Sequence, residues 1–314
     1  MMMRLFPRFW MATLLLLVLP ATSIAQTCSP TSSTGITFGT INTATTPTQD
    51  VTGTITVTCT AATGSNIGKT ARVCSYLGTG STSANKTMVS GPNTINYNVF
   101  ADAARSIYYC SQTVGPETSQ VYVMASTPTV LTFTMYGRVF SGQTVAPGTY
   151  AATLPTVARI ITPSNQACTA GPTTPSVSVN FQVDLTPSCS ISATPISFGT
   201  VNTLASTLNS SGSLSVTCSK TAAYTISLSA GTSIGNTIAA RKMSVGGTGA
   251  GVVDYQLYRD AGPSNVWGNG TTGVVYSGSG TATAQTIPVY AQVPAQAPPP
   301  AGAFKDTVTA TITF

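Results

Sequence analysis

Histidine is absent from this 314-residue sequence, and charge is scarce: Asp, Glu, Lys and Arg make up 6% of it, against about 25% in an ordinary soluble domain. The commonest general base and the commonest zinc ligand are therefore both missing. Only seven carboxylates exist. Glu117 with Asp102, or Ser111 beside Cys110, come nearest to a catalytic grouping, and neither has a base or an orienting partner. No Cys-x-x-Cys spacing occurs, so a zinc site is not expected. The sequence reads as a non-enzyme without metal or cofactor. Its basic residues are scattered, with Arg241-Lys242 the one adjacent pair. Nucleic acid, which needs a clustered phosphate-neutralising patch, is not an expected partner. Convincing helical periodicity is missing as well. The one long apolar run, Met11 to Leu19, is shorter than the ~20 residues of a spanning helix. With Arg4 and Arg8 before it and Ser23-Ile24-Ala25 after it, the run reads as a cleaved export signal over 1–25, with the mature chain starting at Gln26.

What the sequence does have is threonine, serine and asparagine, together with 28 glycines and 20 prolines. β-Branched Thr suits exposed strand faces, and Gly and Pro suit tight turns. It also has an internal duplication. Ile36-Thr37-Phe38-Gly39-Thr40-Ile41-Asn42-Thr43 returns as Ile196-Ser197-Phe198-Gly199-Thr200-Val201-Asn202-Thr203. Gly53-Thr54-Ile55-Thr56-Val57-Thr58-Cys59 returns as Gly212-Ser213-Leu214-Ser215-Val216-Thr217-Cys218. Asn96 to Phe100 matches Asp254 to Tyr258, and Pro147 to Tyr150 matches Ala301 to Phe304. Matching blocks in one order indicate two copies of one domain.

Period-two alternation predicts six shared strands. In the first copy they fall near 36–42, 53–60, 70–77, 94–100, 131–140 and 149–161. In the second they fall near 195–202, 212–219, 223–230, 252–259, 285–293 and 304–314. The expected fold is all-β: two tandem immunoglobulin-like β-sandwiches, 26–185 and 186–314, joined through Thr186-Pro187-Ser188. The Pro-rich stretch 295–300 reads as a turn. The copies differ at their ends. The first continues into Val177-Ser178-Val179-Asn180-Phe181-Gln182-Val183-Asp184-Leu185, an alternating seventh strand that would complete its domain in cis. The second is expected to lack this last strand, leaving an open groove bordered by a strand carrying Phe304, Val308, Ala310, Ile312 and Phe314. Such a groove calls for a partner strand.

Seven cysteines in an exported chain point to disulfides. The repeat pairs Cys28 with Cys59 and Cys189 with Cys218, because each pair brackets two adjacent antiparallel strands. Cys74, Cys110 and Cys168 are left over in the first copy.

The Phe-Gly-Thr-[Ile/Val]-Asn-Thr blocks, the Val-Thr-Cys strand ends, Tyr255 to Asp260 followed by Val266-Trp267-Gly268, and the terminal Phe304 to Phe314 segment together resemble the spore coat protein U domain family. That family supplies the pilin module of archaic chaperone–usher pili, and the resemblance spans essentially the whole mature chain. It implies a domain whose missing strand is donated by the N-terminal extension of the next pilin subunit, after a periplasmic chaperone has held the groove and an outer-membrane usher has polymerised the subunits. A shaft pilin carries a donor strand before its first cysteine. Here only Gln26 and Thr27 precede Cys28, so the chain is expected to accept a strand without giving one. The two-domain plan thus resembles the tip adhesins of Csu-type pili, exported to the periplasm and then displayed at the cell surface. The resemblance also favours Cys74–Cys168, leaving Cys110 free, with Cys110–Cys168 open as the other pairing.

The free end of the first domain is expected to hold loops 61–69, 101–130 and 162–175. By the same resemblance, apolar groups there contact hydrophobic surfaces and support biofilm formation. The candidates are Ile67, Ile107, Tyr108, Tyr109, Val114 and Pro116, while Val121-Tyr122-Val123-Met124 alternates like a strand that folds inward. Two other readings stay open. One is carbohydrate binding around Tyr108, Tyr109 and Asp102. The other is a secreted coat protein without adhesion.

Overall fold

The computed structural model describes residues 26–42, 44–78, 86–109, 118–161, 164–165, 168, 177–246 and 251–314. The expected export signal lies outside the described residues, as do Val114, Pro116, Cys110, Ser111 and Glu117.

The first domain contains β1 (Cys28–Ser33), β2 (Ile36–Ile41), β3 (Gln49–Cys59), β4 (Thr70–Leu77), β5 (Lys86–Ser90), β6 (Asn93–Phe100), β7 (Thr118–Val123), β8 (Thr129–Val139), β9 (Gly148–Ile161) and β10 (Val177–Leu185). One layer runs β1-β3-β8-β6-β5. It connects through the single bridge Val89↔Ala151 to the other layer, in which β9 lies between β10 and β4, β10 carries β2 on its far side, and β4 carries β7. Ile36, Ile55, Tyr97, Phe133, Tyr150 and Phe181 meet in the core between them.

The alternation of β10 explains its place. Val179, Phe181 and Val183 are fully buried and Leu185 nearly so, while Ser178 and Asn180 face outward. β10 pairs antiparallel with β9 from Val177↔Thr156 to Leu185↔Gly148. On its other edge it pairs parallel with β2, from Phe181↔Ile36 to Leu185↔Ile41. Burying those four apolar side chains is worth roughly 6–12 kcal/mol as an upper bound.

The second domain contains β11 (Cys189–Ala193), β12 (Leu208–Cys218), β13 (Ala223–Leu228), β14 (Arg241–Ser244), β15 (Val252–Tyr258), β16 (Tyr276–Ser279), β17 (Gln285–Val293) and β18 (Ala310–Thr313). Their order, β11-β12-β17-β15-β14 against β16-β13-β18, repeats that of β1-β3-β8-β6-β5 against β7-β4-β9. Among the described residues nothing stands where β10 stands in the first domain.

Three strand expectations need correction. Segment 195–202, expected as a strand, is not one. Its counterpart β2 has β10 as its ladder partner, and an isolated segment has nothing to pair with. The last strand is Ala310–Thr313 rather than 304–314. The part that falls away corresponds to the half of β9 that pairs with β10. Finally, the copies share eight strands rather than six, since β1/β11, β5/β14 and β7/β16 escape the alternation test. β1 is polar and holds Pro30 beside a register shift, as suits a strand paired on one side only.

Candidate functional site

With no described strand in the place of β10, the core of the second domain is less covered than that of the first. Ile36 and Tyr150 are fully buried and Phe38 is 4% exposed, while their counterparts Ile196, Phe304 and Phe198 are only half-buried. Between 193–204 and 298–310 lie two adjoining compartments of about 380 and 860 Å³. Core residues Leu214, Met243, Tyr255 and Leu257 are reached from the first of them. The Pro298–Pro300 turn walls the second, held by the Gln296 amide on the Leu204 carbonyl at 2.9 Å. Of the residues expected along this edge, Phe304, Val308 and Ala310 line the compartments. Ile312 is half-buried opposite Ile226, and Phe314 is 54% exposed, outside the lining.

Lys305 makes a reciprocal backbone pair with Ser244, at 3.1 and 3.2 Å. Next to it, the inward-facing Asp306 gathers donors from the loop 232–236 and from β15. Its Oδ1 accepts the Thr232 and Ser233 amides at 2.8 and 2.9 Å. Its Oδ2 accepts the Tyr255 hydroxyl at 2.6 Å and Asn236 Nδ2 at 2.9 Å. Burial alone would raise the Asp306 pKa, but these hydrogen bonds, that of Tyr255 foremost, outweigh it and hold the carboxyl below its ordinary value. Burial pushes the Tyr255 phenol well above its own. Nearby, the fully buried Arg241 donates to the carbonyls of Ser229 and Trp267, each at 2.8 Å from Nη2. Sequence reasoning missed this polar group because Asp306, Tyr255 and Asn236 lie far apart along the chain.

Disulfides join Cys28 to Cys59, Cys189 to Cys218 and Cys74 to Cys168. The first two of these pairs are direct cross-strand partners, Cys28↔Cys59 in β1–β3 and Cys189↔Cys218 in β11–β12. Cys74 and Cys168 pack with Tyr76 and Ile161 as a small separate cluster on the outer side of β4, where the Tyr76 hydroxyl donates to the Cys168 carbonyl.

The structure divides the expected surface contacts of the first domain. Ile67 is exposed and sits at the distal end, where the Gly68 amide donates to Met124 O at 2.9 Å and the Ala62 amide to Ala125 O at 2.7 Å. Val123, opposite Thr70, and Val130, next to the Cys59↔Thr129 pair, are exposed at the same end. Segment 121–124 is thus half outward: Tyr122 and Met124 are buried, Val121 and Val123 exposed. Strict alternation was the signal for this.

Ile107 is exposed and Tyr108 half-buried, stacked on Phe100 at 5.2 Å between ring centroids. They do not join Ile67. Phe100 pairs with Tyr136 and Tyr136 with Thr52, seven steps along β3 from Cys59, or about 23 Å at ~3.3 Å per residue. Tyr109 is a correction. Expected among the contacts, it is fully buried and donates its hydroxyl to Ser75 Oγ at 2.8 Å. Its amide bonds Val99 O as that of the buried Trp267 bonds Leu257 O, so both aromatic rings are core residues of their copies. Asp102 is occupied too, accepting the Ile107 amide at 2.7 Å and the Ser106 hydroxyl at 2.8 Å. Tyr108, Tyr109 and Asp102 therefore do not share one exposed site. Among the described residues no group of His, Cys, Asp or Glu could hold a metal.

Two pilin-like β-sandwiches in tandem define the class. The chain belongs to the Spore Coat Protein U domain family, whose model matches residues 12–156 and 174–311. Its fold is similar to that of the CsuC–CsuE chaperone–tip adhesion subunit pre-assembly complex from archaic chaperone–usher Csu pili of Acinetobacter baumannii, at 18% identity and TM-score 0.52 over 92% of this chain and 100% of that one. Weaker similarity extends to the CupB6 tip adhesin of Pseudomonas aeruginosa, at 12% identity and TM-score 0.37 over 92% and 93% of the two chains. It extends also to CfaE, the adhesive subunit of CFA/I fimbria of enterotoxigenic Escherichia coli, at 9% and 0.33 over 90% and 93%. None of the curated proteins compared matches the chain.

Proposed function

We propose that the protein is the tip subunit of a chaperone–usher pilus, with domain 186–314 accepting a donor strand from the next subunit and domain 26–185 facing outward. One observation carries this reading. β10 fills the first domain, and the same place in the second is an open apolar groove bordered by Ile196, Phe198, Phe304 and Val308. A groove of this kind is an aggregation hazard until something pairs with it. A periplasmic chaperone would hold it, and an outer-membrane usher would oversee exchange for the donor. The Acinetobacter baumannii relative is described as a chaperone–tip adhesion subunit complex, which supports the same partnership by analogy. Segment 177–185 has the alternation of a donor but is already used within its own domain, so it is not available to a neighbour. Export through the leader at 1–25 would deliver the subunit to the periplasm and then to the pilus tip at the cell surface.

Attachment is by apolar contact at the distal end, where Ile67, Val123 and Val130 stand exposed, with Ile107 and Tyr108 as a second patch on the flank. Exposed aliphatic area gains ~25 cal/mol per Å² on burial against a hydrophobic surface.

The groove is tested by fusing an alternating apolar strand after Phe314. The melting temperature of the second domain should rise by about 10 °C or more, if a few kcal/mol are recovered; an unchanged value would remove the acceptor reading. Attachment is tested by Ile67→Asp with Val123→Asp. Pili should still assemble, with binding to plastic reduced because two charges must be desolvated on contact. Inhibition of wild-type attachment by a single sugar would replace this surface with a lectin site.

A further inference from the structure

We propose that Asp306 is a positioning residue for donor-strand capture: it pins residues 304–309 beside the empty groove, so that an incoming strand meets an edge already in place. The proposal rests on the acceptor-groove reading and adds to it how the groove is kept ready.

The two domains supply the comparison. The Pro147–Tyr150 and Ala301–Phe304 blocks align Tyr150 with Phe304 and hence Ala152 with Asp306. Ala152 lies opposite Phe181 of β10, inside a continuous ladder of nine pairs. That ladder holds the edge of the first domain by itself, and a methyl group suffices there. Tyr97, the counterpart of Tyr255, packs on Phe181 at 5.0 Å, and its hydroxyl has no hydrogen-bond partner among the described residues.

In the second domain the ladder is missing, and the position facing its place carries a carboxylate instead. Four separate groups converge on Asp306: the Thr232 and Ser233 amides, Asn236 Nδ2 and the Tyr255 hydroxyl. The loop that provides three of them is itself tied down. Asn236 Oδ1 accepts the Lys242 amide at 2.8 Å, and Ser244 Oγ bonds Ser233 Oγ at 3.1 Å. Gly231 makes room for the carboxylate, since a Cβ there would sit 1.9 Å from Asp306 Oδ2. The bonds thus connect the unpaired edge to β14 and β15, which are firmly in the opposite layer. Asp306 also lines the smaller groove compartment. An unpaired half-strand without such a tie samples many conformations, and a groove competent only part of the time binds more weakly by that fraction.

The test uses the full chain and a labelled synthetic peptide with the sequence of residues 177–185, the strand that fits the homologous groove of the first domain. Association and dissociation are followed separately by stopped-flow anisotropy. Asp306→Ala should slow association about tenfold while changing dissociation less than about twofold, because the filled groove no longer needs the tie. Asp306→Asn and Tyr255→Phe, which keep most of the packing, should give smaller losses in association alone. Equal association rates for wild type and Asp306→Ala would overturn the proposal and leave the acceptor groove standing. Equal loss of melting temperature in the empty and peptide-filled forms would also overturn it, by making Asp306 an ordinary structural residue. A wild-type chain that takes up no peptide would remove the acceptor reading itself, and this one with it.

Discussion

Phe38 and Phe198 hold equivalent places in the two domains, and their surroundings differ by one strand. Around Phe38 the segment Ile-Thr-Phe-Gly-Thr-Ile is β2, paired in parallel with β10 and closed over the core. Around Phe198 nearly the same residues run without a ladder, and the ring is left half-exposed. Local sequence does not separate the two. The lesson is that strand state here belongs to the pair. A β-prone segment becomes a strand when a neighbour satisfies its backbone, and loses that state when the neighbour is missing. The same holds for the strand across the gap. β9 is continuous from Gly148 to Ile161, whereas only Ala310–Thr313 remains of its counterpart.

Breaking the filled domain should have the largest effect. Phe181→Ala removes a fully buried ring and should cost the first domain about 3–5 kcal/mol, read from denaturant unfolding of the full chain, with the transition of the second domain unmoved. If both domains shift together, they are not independent copies.

Hydrogen exchange offers a sharper test of intermediate size. Amides of β2 (36–41) should be protected and those of 196–202 should exchange freely. Fusing a donor strand after Phe314 should slow 196–202 about tenfold or more, as a newly stable ladder requires. Unchanged exchange in a fusion that is otherwise stabilised would mean that the donor pairs somewhere else.

The smallest expected effect is on acid stability. The Asp306 carboxyl is held below its ordinary value, its burial outweighed by the hydrogen bonds from Tyr255 on β15 and from the Ser233 and Thr232 amides. Arg241 on β14 is the charged group nearby, and Lys305 is its chain neighbour. A depressed folded pKa contributes stability that is complete above the unfolded value of about 3.9 and is lost as pH falls through the folded one. The second domain should therefore weaken below about pH 4, and Asp306→Asn should flatten that dependence. The first domain has Ala152 at this place. Its own depressed carboxyls, Asp50 with Arg138 and Asp102 with the Ile107 amide, lie at the surface, where such interactions contribute little. A first domain that fails earlier in acid would contradict the assignment.

The legible and illegible parts follow from the same physics. The alternating runs expected near 53–60, 131–140 and 177–185 declare two faces, and strands Gln49–Cys59, Thr129–Val139 and Val177–Leu185 lie there. β1 was illegible because Cys28–Ser33 is polar and broken by Pro30, and it forms only by lying along β3. Tyr109 was misplaced because an aromatic pair in a loop says nothing about which ring turns inward. Alternation at 121–124 marks two faces without saying that one of them stays wet.

Sequence alone was enough for the duplication, the all-β class, the pairing of Cys28 with Cys59 and of Cys189 with Cys218, and the extra apolar strand at 177–185. These rest on residue types and spacing, which the chain carries with it wherever it goes. Tertiary structure alone decided that one Ile-x-Phe-Gly-Thr copy is a strand and the other is not, that Tyr109 is core, and that Asp306 meets Tyr255 and Asn236. The physical reason is that ladder pairing, burial and hydrogen-bond convergence are properties of segments brought together from far along the chain. Strand β10 supplies those partners in the first domain, and no described residue does so in the second.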